Sequence, residues 1–280
     1  MNTIAQYDQV CVHASRETTK RYSTSFSLGI RSLERRLRDP IHAIYGFVRF
    51  ADEIVDTFHD HDKEQLLKRF REDTHDAVRN RISLNPILHS FQRVVNTYGI
   101  EQVLYDTFLD SMAMDLGNVT YDKGAYENYI LGSAEVVGLM CLRVFCEGDQ
   151  ASYEHLKPAA MRLGAAFQKV NFLRDLKDDH QSLGRSYFPG VDVRRLDSAT
   201  KQHIESEISA DLDAALIGIR QLPKGSRFGV YMAYVYYLAL FNKIKALPCE
   251  RIMKERIRVR NRNKIALLTA SYFRHSFGLL

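Results

Sequence analysis

Two pairs of aspartates constrain this chain more than anything else in it. Asp52 and Asp56 form the first pair, Asp175 and Asp179 the second, each spaced i, i+4. On a helix that spacing puts both carboxylates on one face, one turn apart. Like charges so placed oppose helix formation by roughly 0.2–0.5 kcal/mol per pair, so a partner is expected to offset the repulsion. A divalent cation answers that need. Magnesium prefers oxygen ligands and is usually held by one or two carboxylates together with substrate phosphates. Two such helices would grip a diphosphate from both sides.

Helical geometry strengthens the reading. At 3.6 residues per turn, Tyr45, Arg49, Asp52 and Asp56 fall within an arc of about 60°, and Gln168, Asn171, Asp175 and Asp179 within about 80°. Around the first stripe the sequence is mostly apolar: Ile44, Phe47, Val48, Phe50, Ala51, Ile54 and Val55. A helix that is apolar nearly all round is usually buried. A polar stripe on it must then face a partner or a wet cavity, because unpaired buried charge is very costly. A solvated, salt-bridged face accounts for one such stripe. Two stripes, each with an arginine close by (Arg49, Arg174) and the second with two amides, favour a shared ligand.

Helical periodicity dominates the rest of the chain and strand-like alternation is scarce. Asp39-Pro40 reads as an N-cap followed by proline at the first helical position, opening the first aspartate helix. Further helices are expected over 5–20, 63–80, 84–97, 101–118, 124–147, 151–182, 200–220, 226–246 and 250–274, with the prolines near helix ends. The stretch from Gly184 to Gly190 reads as a loop. No low-complexity tract or fixed-period repeat divides the 280 residues. The expectation is one all-α domain over 1–280, a helical bundle around a central cavity.

Composition narrows the function. The net charge of +5 suits an anionic substrate or an anionic membrane surface and does not call for nucleic acid. With 15 tyrosines, 15 phenylalanines and no tryptophan, the chain fits an aromatic-lined apolar interior. The four cysteines, at 11, 141, 146 and 249, form no Cys-x-x-Cys pair, which points to a reducing compartment and buried thiols. The first twenty residues lack a basic stretch followed by an apolar core, and no run reaches 18 apolar residues, so a cytoplasmic protein is expected. No dinucleotide fingerprint or P-loop is present. A di-iron bundle would want paired Glu-x-x-His motifs, which Asp56-Thr57-Phe58-His59 imitates only once.

The residues resemble the squalene/phytoene synthase family, the head-to-head prenyl synthases. Asp52 and Asp56, with Arg49 three residues before, are similar to its first aspartate motif. Gln168, Asn171, Arg174, Asp175 and Asp179 match its second, Gln-x-x-Asn-x-x-Arg-Asp-x-x-x-Asp, position by position. Arg185, Tyr187 and Pro189 match a downstream Arg-x-Tyr-x-Pro, and Ser23, Ser25 and Phe26 an N-terminal Ser-x-Ser-Phe. The likeness runs from about Tyr22 to Lys264. It departs at Tyr22 and Thr24, which stand where the family often has His and Lys. It departs again at Leu131 and Glu135, where the mid-chain pattern beginning at Tyr129 usually has Tyr and Gly.

The resemblance implies an isoprenoid-synthase-type bundle and a prenyltransferase that condenses two allylic prenyl diphosphates through a cyclopropyl diphosphate. Magnesium, or manganese, would sit on Asp52, Asp56, Asn171, Asp175 and Asp179. Substrate would be bound by Ser23, Ser25, Phe26, Tyr45, Arg49, Tyr129, Gln168, Asn171, Arg174, Arg185 and Tyr187, and by Arg262 and Lys264 of the basic last helix. Tyr236 would join the aspartates as a catalytic residue. The favoured reaction is phytoene formation from geranylgeranyl diphosphate, without NADPH, as the first committed step toward carotenoids. The alternatives are a farnesyl diphosphate user making squalene or dehydrosqualene, and a non-catalytic prenyl-binding subunit. An oily product implies peripheral membrane contact through the basic C-terminal helix, hand-over to a desaturase, and a monomer or weak dimer.

Overall fold

The computed structural model describes residues 3–117, 121–182, 187–189, 197–253 and 257, the side chains of 177–182 excepted. Twelve α-helices run through them. They are α1 (Thr3–Tyr22), α2 (Thr24–Arg31), α3 (Arg35–Asp56), α4 (Lys63–Asn80), α5 (Pro86–Tyr98), α6 (Gln102–Met114), α7 (Lys123–Ile130), α8 (Val136–Cys146), α9 (Gln150–Ser182), α10 (Ser198–Gln221), α11 (Lys224–Lys245) and α12 (Cys249–Ile252). Among the described residues there is no strand, as the periodicity implied.

Local chemistry starts and stops several of these helices. Asp62, Asn85, Asp122 and Asp197 each accept hydrogen bonds from the first turn that follows, at α4, α5, α7 and α10. Gly99 ends α5 at φ 64°, a left-handed position that suits glycine.

The start of α3 differs from the expectation. Asp39 is not its cap, and Pro40 lies inside the helix. The helix begins a turn earlier because the Glu34 amide donates to the Gly225 carbonyl at 2.8 Å, anchoring the entry to α3 on α11. Asp39 is taken instead by Arg16 of α1, whose Nε donates to Oδ1 at 2.6 Å and whose terminal nitrogen donates to Oδ2 at 2.7 Å. Pro40 costs the helix one backbone bond, and burial of Leu37, Ile41 and Ile44 outweighs it. Pro158 likewise sits within α9. α2 was not foreseen: its eight residues are too few to display a period, and Ser23 caps it by accepting from the Phe26 amide at 3.1 Å.

α3 divides the molecule. Its back carries Phe47, fully buried and stacked on Phe91 with ring centroids 3.9 Å apart, with Phe70 and Phe108 at 5.6 and 5.5 Å. Such rings anchor a core through area and through specific ring geometry. Its front carries the polar stripe. α9 packs against α8, α10 and α11, and α11 packs on α2, so these helices wall in the space before α3.

Between α7 and α8 lies a π-helical turn, Leu131–Glu135, of the kind often found at functional sites. Two glycines let neighbours close on it. A Cβ at Gly132 would meet Ser111 Cβ at 2.6 Å and the Thr107 carbonyl at 2.7 Å; one at Gly164 of α9 would meet the Ala134 carbonyl at 2.6 Å. The stretch Lys123–Cys146 is long and apolar enough by composition to cross a bilayer, with mean hydropathy 1.6, but 61% of that window is buried within the bundle. All four cysteines are free, and Cys11, Cys146 and Cys249 are buried.

Candidate active site

The two acidic stripes meet. One cavity of about 610 Å³ is lined by Arg49, Asp52 and Asp56 from α3 and by Gln168, Asn171, Arg174 and Asp175 from α9. Ser23, Ser25, Phe26, Tyr45, Tyr129, Tyr187 and Tyr236 line it too. Every predicted site residue whose side chain is described therefore faces the same space. The Asp179 side chain, Arg185, Arg262 and Lys264 lie outside the described residues.

The basic groups are held by acids. Arg174 forks onto Asp175, its Nε donating to Oδ1 at 2.9 Å and a terminal nitrogen donating to Oδ2. Burial works against the Arg174 charge, but this pairing outweighs it and holds its pKa above the ordinary value. Arg49 pairs with Glu53, and its other terminal nitrogen stands 3.8 Å from Asp52. Arg49 Nε is buried and without a hydrogen-bond partner. Asp52 is enclosed by protein, though 31% of its side chain stays open to the cavity. Burial pushes its pKa up to about 8; Arg49 opposes the rise, while Asp56, Asp115 and Glu53 add to it. Burial, more than the acidic neighbours, is what disfavours charge on Asp52.

Amides and phenols knit the rest. Asn171 Nδ2 donates to Gln168 Oε1 at 3.4 Å, and the Tyr237 hydroxyl donates to Asn171 Oδ1 at 3.3 Å. Tyr45 bonds with Ser23, and burial raises its pKa to about 12. Tyr129 donates to Asp115 Oδ2 at 2.8 Å, and its ring lies 5.1 Å from that of Tyr187. Tyr187 in turn stacks on Phe172 at 4.2 Å. The remaining walls are apolar: Ile44, Val48 and Ile30 on one side, Val137, Leu142, Phe145, Leu163 and Ile219 on others.

Four further polar lining residues were not among the predicted site residues. Asp115 is a lone acid just past the end of α6 with no carboxylate one turn away; only the fold brings it to Asp52. Tyr237, beside the predicted Tyr236, is the one bonded to Asn171. Ser133, on the π-turn, has a buried hydroxyl without a partner. Tyr22 covers Arg49 with its ring. The substitution at Glu135 resolves differently. Its half-buried carboxyl stands in the field of Arg162, Lys169 and Asp211, and burial raises its pKa.

The donor set suits magnesium. Among the described residues no three His, Cys, Asp or Glu side chains converge as a self-sufficient metal cage. Paired carboxylates that leave further oxygens to come from phosphate and water are what this ion ordinarily takes. A cation beside Asp52 would offset the cost that burial places on its charged form.

Comparison with known proteins agrees with this geometry. Two presqualene diphosphate synthases are similar: that of Rhodopseudomonas palustris at 31% identity over 173 residues and that of Sinorhizobium fredii at 33% over 187. These matches cover 59% and 65% of this chain, and span only 58% and 63% of those relatives' own length. A phytoene synthase of Pseudescherichia vulneris is 27% identical over 262 residues, covering 84% of this chain and 82% of its own. In fold, a dehydrosqualene synthase crystal structure superposes with a TM-score of 0.83 at 18% identity, over 97% of this chain and 98% of that one. The profile of the squalene/phytoene synthase family matches residues 19–263, so the chain belongs to that family.

Proposed function

We propose that the protein is a prenyltransferase that joins two allylic prenyl diphosphates head to head. The observation that carries the reading is the convergence of both acidic stripes and their arginines on a cavity whose other walls are apolar. Such a space suits a ligand with a polyanionic head and a long hydrocarbon tail. The C1–O bond of one substrate breaks and its diphosphate leaves with the electron pair. The double bond of the second substrate attacks the freed C1, and loss of a proton closes a cyclopropane, giving a cyclopropyl diphosphate, diphosphate ion and a proton.

Asp52, Asp56 and Asp175, with Asn171 and Asp179, would hold magnesium, which when bound draws charge from the leaving diphosphate. Arg49 and Arg174, released from Glu53 and Asp175, take up phosphate oxygens. Tyr45, Tyr129 and Tyr187 present aromatic faces that favour positive charge, and the apolar walls exclude water from it. Tyr236 and Tyr237 line the same space, Tyr237 fixing Asn171.

Two chain lengths fit this chemistry. The motif resemblance favoured geranylgeranyl diphosphate and phytoene. The higher identity to two presqualene diphosphate synthases favours farnesyl diphosphate, with the cyclopropyl diphosphate itself as the product. The test is product analysis: protein, magnesium and either substrate, with and without NADPH, the extract identified by mass. A forty-carbon hydrocarbon made without NADPH supports the phytoene reading. A thirty-carbon cyclopropyl diphosphate or hydrocarbon supports the shorter one. No condensation from either substrate overturns the enzyme reading.

A further inference from the structure

We propose that Tyr22 is a positioning residue for diphosphate capture, holding the Arg49 guanidinium over its ring at the opening of the cavity. The inference rests on the diphosphate reading above. Tyr22 is the last residue of α1, lines the cavity and is 49% exposed, so it stands where the cavity meets solvent. The Arg49 Cζ lies over its ring, 4.5 Å from the centroid. An aromatic face attracts a planar cation without consuming any of its N–H donors.

The donors tell the same story. Glu53 accepts from one terminal nitrogen of Arg49, Asp52 is 3.8 Å from the other, and Nε is buried without a partner. A buried, unpaired guanidinium nitrogen is costly, and a phosphate oxygen is the acceptor that would satisfy it together with a terminal nitrogen, as a two-point contact. The ring supplies orientation. Without it, only Glu53 and Asp52, on the guanidinium's own helix, would hold it in place. Tyr22 thus steadies Arg49 for an incoming anion without consuming a donor or adding charge.

The test compares Tyr22→Phe, which keeps the aromatic face, with Tyr22→Leu, which keeps apolar bulk and loses the face. Affinity for magnesium pyrophosphate is read by calorimetry, and KM and kcat by steady-state turnover. Tyr22→Phe is expected to match the wild type. Tyr22→Leu is expected to weaken pyrophosphate binding by about two- to thirty-fold and to raise KM with kcat unchanged. In an Arg49→Met background the Tyr22→Leu change is expected to cost nothing further. Equal affinity of Tyr22→Leu and wild type overturns the proposal, as does Tyr22→Phe binding as weakly as Tyr22→Leu. A wild type that binds neither pyrophosphate nor a prenyl thiodiphosphate sinks the diphosphate reading, and this one with it.

Discussion

Asp52 carries a pH dependence whose sign follows from its surroundings. Its folded pKa is raised from the ordinary 3.8 to about 8. The folded state therefore holds a proton that the unfolded chain has already lost between those values, and stability from this group falls as pH rises from 4 toward 8. Asp52→Asn is expected to remove that slope. Thermal denaturation of ligand-free protein should show the variant gaining on the wild type with each pH step, most of all at pH 8; parallel curves would count against the assignment. Magnesium pyrophosphate binding near pH 7 should release protons, which calorimetry in buffers of different ionisation enthalpy detects. Ser133 makes a second case at this scale. A buried hydroxyl without a partner costs roughly 1–3 kcal/mol, so Ser133→Ala is expected to raise the melting temperature of the ligand-free protein.

At the scale of elements, the π-turn is closely packed against backbone of α6 and α9. Backbone atoms stand 2.6 Å from where a Gly164 Cβ would be and 2.7 Å from where a Gly132 Cβ would be, too close for either to be accommodated without a shift. Gly164→Ala and Gly132→Ala are each expected to destabilise by about 1–3 kcal/mol in urea unfolding, the usual range for overpacking. Helices with a long apolar period were legible from sequence. α9, expected over 151–182, runs Gln150–Ser182, and α11, expected over 226–246, runs Lys224–Lys245. α2 was missed for want of length. Pro40 misled because a proline preceded by aspartate reads as a helix start, whereas contacts with α1 and α11 extended α3 past it.

For the whole molecule, the decisive property is that two distant stretches of chain line one cavity. Asp52→Asn and Asp175→Asn are each expected to lower turnover by about a hundred-fold or more while leaving the circular dichroism spectrum intact. Groups acting on one ligand as a unit are not additive. The double variant is therefore expected to be little worse than the worse single one, and multiplied losses would argue for separate roles.

What the sequence determined by itself was local and periodic. Carboxylates at i, i+4, an arginine three residues before one pair, and two amides in phase with the other all lie within a few turns of helix, where geometry is set by the backbone repeat. That was enough for the helical class and for the residues of both stripes. Only the tertiary structure decided which lone groups joined them. Asp115, Ser133 and Tyr22 have no periodic partner, and each reached the cavity through contacts between helices far apart in the chain. The same contacts raise the Asp52 pKa and set Tyr22 over Arg49, because burial and charge act through space rather than along the sequence.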